Sequence, residues 1–110
     1  MNIQHKQLAA GRWFQLSFIE QMANIASEVE RALNWRAKEN PAYCQRAFER
    51  ALELIDLTLE DPKNINRLKE LTRVREAAVD FFVCGNEFQS CEASWKKYFS
   101  HFSYAARRNY

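Results

Sequence analysis

Apolar side chains that recur every three or four positions constrain the fold of this chain more than any other feature. The clearest run begins at Asp61-Pro62, an N-cap followed by a first-turn proline, and ends at Gly85, which is predicted to close a helix in the left-handed conformation. Because helical residues three and four apart share one face, this spacing predicts one long helix from Asp61 to Gly85. Its predicted inner face carries Asn64, Leu68, Leu71, Thr72, Ala78, Val79 and Phe82.

The same spacing predicts three more helices, at about Ala9–Lys38, Pro41–Leu59 and Cys91–Arg107. Asn40 and Ser90 are the predicted caps of the last two. The first helix would extend over about 30 residues, or roughly 45 Å, so one of its ends is predicted to overhang the others. The predicted inner residues of these three helices are Phe14, Phe18, Met22, Ile25, Val29 and Leu33; Cys44, Phe48, Ala51, Leu52, Ile55 and Leu59; and Trp95, Phe99, Phe102 and Ala106.

The connections between these helices are short, and the chain has two glycines and two prolines, which leaves little room for a series of short strands. Four amphipathic helices with short connections bury their apolar faces most simply by sharing one core. The sequence therefore predicts an all-α fold: a single domain of residues 1–110, arranged as an up-down-up-down antiparallel four-helix bundle.

Composition limits the possible functions without choosing among them. The net charge of +2 is too small to indicate a nucleic-acid partner by itself. An odd number of cysteines, three, and no signal peptide predict a reducing cytoplasm. The cysteines have no C-x2-C spacing, and neither histidine is placed to complete a zinc set, so no metal or cofactor is predicted. No apolar run is long enough to span a membrane.

Arg75 is the sharpest residue-level feature, because it lies at the centre of the apolar face predicted for the third helix. A buried guanidinium must be paired or must reach water. One interpretation is structural: an ion pair with Glu30 or Asp56, or an arginine stem that covers apolar surface. The other is functional: an anion site in which Arg75, with Arg67 or Arg36, receives a phosphate or carboxylate.

The C-terminal segment from Trp95 to Tyr110 carries four bases and no acid, whereas residues 20–61 carry nine acids and five bases. Basic and aromatic side chains in alternation are suited to gripping phosphates and stacking on unpaired bases. A basic helix end is also what the helix dipole favours, and most of the aromatics fall on the inward stripe. A homo-oligomer interface of Tyr104, Tyr110 and the overhanging first helix is a further interpretation. The candidate contact residues are Lys96, Lys97, His101, Tyr104, Arg107 and Arg108.

Catalysis has the poorest support. His5 and His101 are the two histidines, and neither can be assembled into a Ser/His/Asp or Cys/His arrangement. The Glu-x-x-His signature of a bundle di-metal site and a phosphate-binding glycine loop are both missing from the sequence. Cys84 and Cys91 flank one turn, so a close approach of the two thiols is one interpretation, and free thiols in the core are the commoner outcome. No catalytic residue is predicted.

The segment RAFERALELIDLTLEDPKN, the following RLKELTRVREAAVDFF and the capped aromatic helix after it resemble a class of small bacterial four-helix-bundle proteins. This class includes the helical partners of minimal nucleotidyltransferases, their relatives in the HEPN group and the proteins encoded in 23S ribosomal RNA intervening sequences. HEPN members that cleave RNA carry an arginine four to six residues before a histidine, and no such spacing occurs here. The resemblance therefore implies a dimeric, non-catalytic bundle that binds a partner enzyme or RNA.

These observations favour a non-catalytic interaction module, homodimeric, that docks a protein or nucleic-acid partner through its first and fourth helices. A nucleotidyltransferase is the protein partner that the resemblance implies. The alternatives are an RNA- or DNA-binding protein that uses the basic C-terminal helix, and a small anion-binding or enzymatic bundle centred on Arg75.

Overall fold

A computed structural model describes residues 10–108 of the chain; residues 1–9 and 109–110, and with them the predictions for Ala9, His5 and Tyr110, lie outside the described part. No strand occurs within residues 10–108, so the all-α prediction is confirmed. The number of helices differs from the predicted four, because residues 10–108 contain five helices besides a helical turn at residues 10–13. They are α1 (Phe18–Ala37), α2 (Pro41–Glu60), a 3-10 helix (Pro62–Arg67), α3 (Leu68–Phe82) and α4 (Glu92–Arg108).

The first predicted helix is broken. Residues 10–13 form a helical turn, residues 14–17 turn away, and α1 begins only at Phe18. Ser17 starts it with a capping box: its Oγ accepts from Glu20 N, and Glu20 Oε1 accepts from Ser17 N, both at 3.1 Å. The predicted overhang is therefore wrong. The turn instead returns Trp13 to the core, where its side chain is buried.

The predicted third helix is also interrupted at its start. Asp61 caps as expected, accepting from Lys63 N at 3.1 Å, but the chain then forms the 3-10 helix with a non-helical residue at Asn64 (φ −96°, ψ 15°). The buried face of α3 agrees with the predicted one only in part: Leu71 and Ala78 are buried as predicted, and Val79 and Phe82 pack half-buried against the core. Leu68 and Thr72 are exposed. The buried residues of α3 are Leu71, Val74, Ala78 and Phe81, a complete stripe at helical spacing.

The loop after α3 closes differently from the prediction. Gly85 is not left-handed; the left-handed residues of this loop are Asn86 and Gln89, both with φ near 55°. The Asn86 side chain bridges Ser90, donating to its carbonyl at 2.9 Å and accepting from its amide at 3.0 Å. Ser90 is therefore not the cap of α4. Cys91 takes that place, because its Sγ accepts from Ser94 N at 3.4 Å.

The helices share one hydrophobic core, in which α1 packs against both α2 and α4, and α2 packs against α3. Met22, Ile25, Ile55 and Leu71 are fully buried at its centre. The predicted inner residues of α4 face this core as expected, with Trp95, Phe99 and Phe102 buried. Tyr98 at the margin donates from its hydroxyl to Glu70 Oε1 at 2.9 Å, which links α4 to α3.

A buried polar network joins the N-terminal turn to α1, α2 and the 3-10 helix. Gln21 Nε2 donates to Trp13 O at 3.0 Å and to Asp61 Oδ2 at 2.8 Å. Asn64 Nδ2 donates to Gln21 Oε1 at 2.8 Å and to Thr58 O at 3.0 Å. Trp13 Nε1 donates to Thr58 Oγ1 at 2.9 Å. All five side chains are buried, so this network holds the two interrupted stretches of the chain against the core.

Candidate functional site

Arg75 lies at the margin of the core and forms an ion pair at the surface. Its Nε donates to Asp56 Oδ1 at 2.7 Å, and the two side chains are 40% and 45% exposed. The hydrogen bond and the charge of Asp56 raise the pKa of Arg75. Glu30, the other acid predicted to pair with Arg75, lies on α1 beside Lys96 of α4.

The other two guanidiniums of the predicted anion site have partners of their own. Arg36 lies over the ring of Phe81 at 4.3 Å, and Arg67 lies over the ring of Phe18 at 4.8 Å. Since a carboxylate already matches the charge of Arg75, this geometry does not favour an anion site there.

The six candidate contact residues of α4 divide between two parallel stripes. One stripe, at positions 96, 100, 103 and 107, faces α1 and contains Lys96 and Arg107. The other, which we call the α4 outer stripe, consists of residues at i, i+4, i+7 and i+11 whose side chains are all exposed. It contains Lys97, His101, Tyr104 and Arg108.

A groove of about 550 Å³ runs between α1 and α4, and we call it the α1/α4 groove. The space exists because the side chains that border it on both helices are small. Glu30 stands on the α1 side, and Lys96 and Arg107 stand on the α4 side. Trp95 also lines the groove, and its buried Nε1 has no acceptor among the described residues. The small residues are Ala23, Ala26, Ser27, Ser100, Ser103 and Ala106.

A second, smaller groove between α1 and α2 was not foreseen from the sequence. This α1/α2 groove, of about 280 Å³, is lined by three arginines and two aromatic residues. Two short patterns could have indicated it: residues 28, 31 and 35, and residues 43, 46 and 50, follow helical spacing on either side of the Asn40-Pro41 turn. Antiparallel neighbouring helices bring such stripes together.

The cysteines do not occupy the positions expected of core thiols. Cys84 and Cys91 are exposed, and Cys44 is half-buried. At the start of α4, hydrogen bonds from the amide and side chain of Ser94 lower the pKa of the Cys91 thiol. Burial raises the pKa of Cys44. The exposed thiols therefore contribute to the loop and the helix cap and not to the core.

Within residues 10–108, no three His, Cys, Asp or Glu side chains are grouped so that they could hold a metal ion. None of the described helices combines the length and the apolar character that crossing a membrane requires. Comparison of the chain with models of known families, with curated proteins and with solved structures finds no match. The resemblance to small bacterial four-helix-bundle proteins therefore stays a prediction.

Proposed function

We propose that this chain is a non-catalytic, cytoplasmic interaction module that forms a homodimer through the α1/α4 groove. The observation that carries the proposal is the groove itself, an unfilled space of about 550 Å³ along the two helices. In this proposal the four α-helices form the antiparallel up-down-up-down bundle expected from the sequence. The short connections and the packing of α1 on α2 and α4 support that arrangement.

The charges on the two sides of the groove favour a second copy of this chain as the occupant. A two-fold interface brings the same patch of both copies together, so α1 of one copy lies over α4 of the other. Because Glu30 lies beside Lys96 along these helices, Glu30 of each copy then faces Lys96 of its partner, and unlike charges meet twice. The small residues along both helices let the paired backbones approach closely.

The area available is sufficient for a modest dimer. Two neighbouring helices about 25–30 Å long and about 10 Å wide present roughly 500–600 Å² to a partner. Two such faces bury roughly 1,000–1,200 Å², which is at the lower limit of specific interfaces. We therefore expect a dimer whose population depends on protein concentration.

Light scattering after size exclusion, over a range of concentrations, tests the dimer. The wild-type chain should approach twice its 13.0 kDa mass. Glu30→Lys should shift the population to monomer, and adding Lys96→Glu should restore the dimer by exchanging the charges. Glu53→Lys is the matched control, because Glu53 is an exposed acid on α2. A strictly monomeric wild type would overturn the homodimer and leave the groove to another protein, such as a nucleotidyltransferase.

The α4 outer stripe supports a second candidate function, the binding of RNA or DNA. Lys97, His101, Tyr104 and Arg108 present two bases and two rings along about three turns of one helix face. Such a surface suits phosphates and unpaired bases. Replacing Lys97 and Arg108 with glutamine should weaken binding and reduce its salt dependence. Unchanged affinity would exclude this function.

A further inference from the structure

We propose that the α1/α2 groove is a binding site for single-stranded nucleic acid, in which Trp35 and Tyr43 stack on a base and the surrounding arginines and Lys38 contact phosphates. The groove lies on the side of α1 opposite to the α1/α4 groove, since residues 28, 31 and 35 face it while residues 23, 27 and 30 face α4. The proposal is therefore independent of the dimer.

The aromatic part of the site lies where α1 ends and α2 begins. The rings of Trp35 and Tyr43 are 4.7 Å apart and inclined at 66°. Two cations cover these rings: Lys38 Nζ lies 5.2 Å from the Trp35 ring, and the Arg46 guanidinium lies 5.3 Å from the Tyr43 ring. The cap of Asn40, which accepts from Tyr43 N at 3.1 Å, holds this corner in place.

The basic part of the site is organised by one carboxylate. Glu28 accepts from Arg31 Nη1 at 3.2 Å, and Arg50 Nε lies 3.5 Å from it. The Glu28 side chain is only 12% exposed, whereas the two arginines are 60% and 70% exposed. Glu28 therefore positions both guanidiniums while they still face water. Four bases and one acid leave this site with a net charge of +3.

This combination favours a nucleotide chain over other anions. A free phosphate or an acidic peptide needs the positive charge but makes no use of paired rings. A base offers a flat face to the aromatic side chains, and the guanidiniums both stack and bind phosphate. In a duplex the base faces are stacked within the helix, so a single strand is the form that fits.

The test uses a fluorescein-labelled 12-nucleotide oligouridine and fluorescence anisotropy at several salt concentrations. Lys38→Gln/Arg46→Gln removes two bases from the groove, and neither residue holds an ion pair within the described part of the chain. We expect binding at least tenfold weaker at low salt, and a salt slope smaller by about 1.4, which is 0.7 for each lost contact on a single strand. Lys69→Gln/Arg73→Gln, which removes two exposed bases of α3 and so makes the same change in charge, should bind as the wild type does.

Trp35 provides a second readout at the site itself. Of the three tryptophans, Trp13 and Trp95 are buried in the core, whereas Trp35 lines the groove. Oligouridine should quench the tryptophan fluorescence of the wild type. Trp35→Phe should abolish this quenching, but the variant should still bind the oligonucleotide when binding is measured by fluorescein anisotropy.

Three results would overturn the proposal. The first is that Lys38→Gln/Arg46→Gln binds oligouridine with the same affinity as the wild type. The second is a loss confined to Lys97→Gln/Arg108→Gln, which would support the α4 outer stripe instead. The third is displacement of the oligonucleotide by polyglutamate of similar length at equal concentration, which would indicate an acidic-peptide site. The same titration should be repeated with Glu30→Lys. Loss of binding on substitution of Lys38 and Arg46 in this background as well would show that the site does not depend on dimer formation.

Discussion

Replacing Asn64 with aspartate changes one heavy atom, nitrogen to oxygen, and tests whether the buried polar network holds this fold together. The wild-type amide nitrogen donates to Gln21 Oε1 and to Thr58 O, at 2.8 and 3.0 Å, from a side chain that is 1% exposed. A carboxylate keeps the shape but has no hydrogen to donate. Two buried acceptors would then face a charged oxygen, with no water to replace the lost donors.

The expected loss of stability follows from these contacts. A buried group left without its partner costs about 1–3 kcal/mol, so two such acceptors cost about 2–6 kcal/mol, with a central value near 4 kcal/mol. A domain of this kind has a free energy of unfolding of about 5–15 kcal/mol. With a urea dependence of about 1.5 kcal/mol per molar, the midpoint of unfolding should fall by about 2–3 M.

The pH dependence of the variant provides a stricter check. Burial should raise the pKa of the new carboxyl above its ordinary value of about 3.9. Because the folded state then binds the proton more tightly than the unfolded state, the stability of the variant should fall as pH rises through the raised pKa. Relative to the wild type at the same pH, the variant should therefore lose less at pH 4 than at pH 7.

Urea unfolding followed by circular dichroism and tryptophan fluorescence measures both effects. Asn66→Asp is the matched control, since Asn66 lies in the same 3-10 helix and is exposed. It should change stability by no more than about 0.5 kcal/mol. A loss below about 1 kcal/mol for Asn64→Asp, or one that does not depend on pH, would refute the role given to the network.

Three other substitutions test the surface pair, the buried carboxylate and the first helix cap. Arg75→Leu should change the free energy of unfolding by less than about 1 kcal/mol in thermal melts, because both partners of the ion pair reach water; a larger loss would contradict this surface position of the pair. Burial alone would raise the pKa of Asp61, but hydrogen bonds from Lys63 and Gln21 outweigh it and lower the pKa. The stabilisation from Asp61 should therefore be complete above its ordinary pKa of about 3.9 and be lost as pH falls through the lowered value. In urea unfolding between pH 6 and 3, the free energy of unfolding of Asp61→Asn should depend less on pH than that of the wild type. Ser17→Ala should cost about 1 kcal/mol by circular dichroism, since it removes the capping box.

Local signals in the sequence predicted much of the architecture. The Asn40-Pro41 start of α2 and the inward residues of α4 are where the periodicity placed them. Each depends on side chains within one or two turns of the same helix, so the sequence contains all the information required. The capping box at Ser17 is equally local. Its S-x-x-E pattern indicates a helix start at this position, and the prediction of one long first helix did not take it into account.

The candidate surfaces were less predictable, because each combines residues from two helices. Lys96 and Arg107 could be read as basic residues of the last helix, but the groove that they share with Glu30 depends on the small side chains opposite them on α1. Glu28 and Arg50 are 22 positions apart in the chain, and only the hairpin of α1 and α2 brings them to 3.5 Å. Helical spacing identifies a face but not which face of another helix it meets.

The sequence by itself determined that this chain is helical, since periodicity and caps act within a few residues and need no distant partner. Tertiary structure alone decided which side of α3 faces the core. Arg75 was predicted at the centre of the apolar face, and it lies at the margin of the buried face, beside Asp56. It also decided how Gln21, Thr58 and Asn64 satisfy one another in the core. The physical reason is that a buried polar group is stable only where the fold supplies its partner, and that partner lies about 40 residues away along the chain.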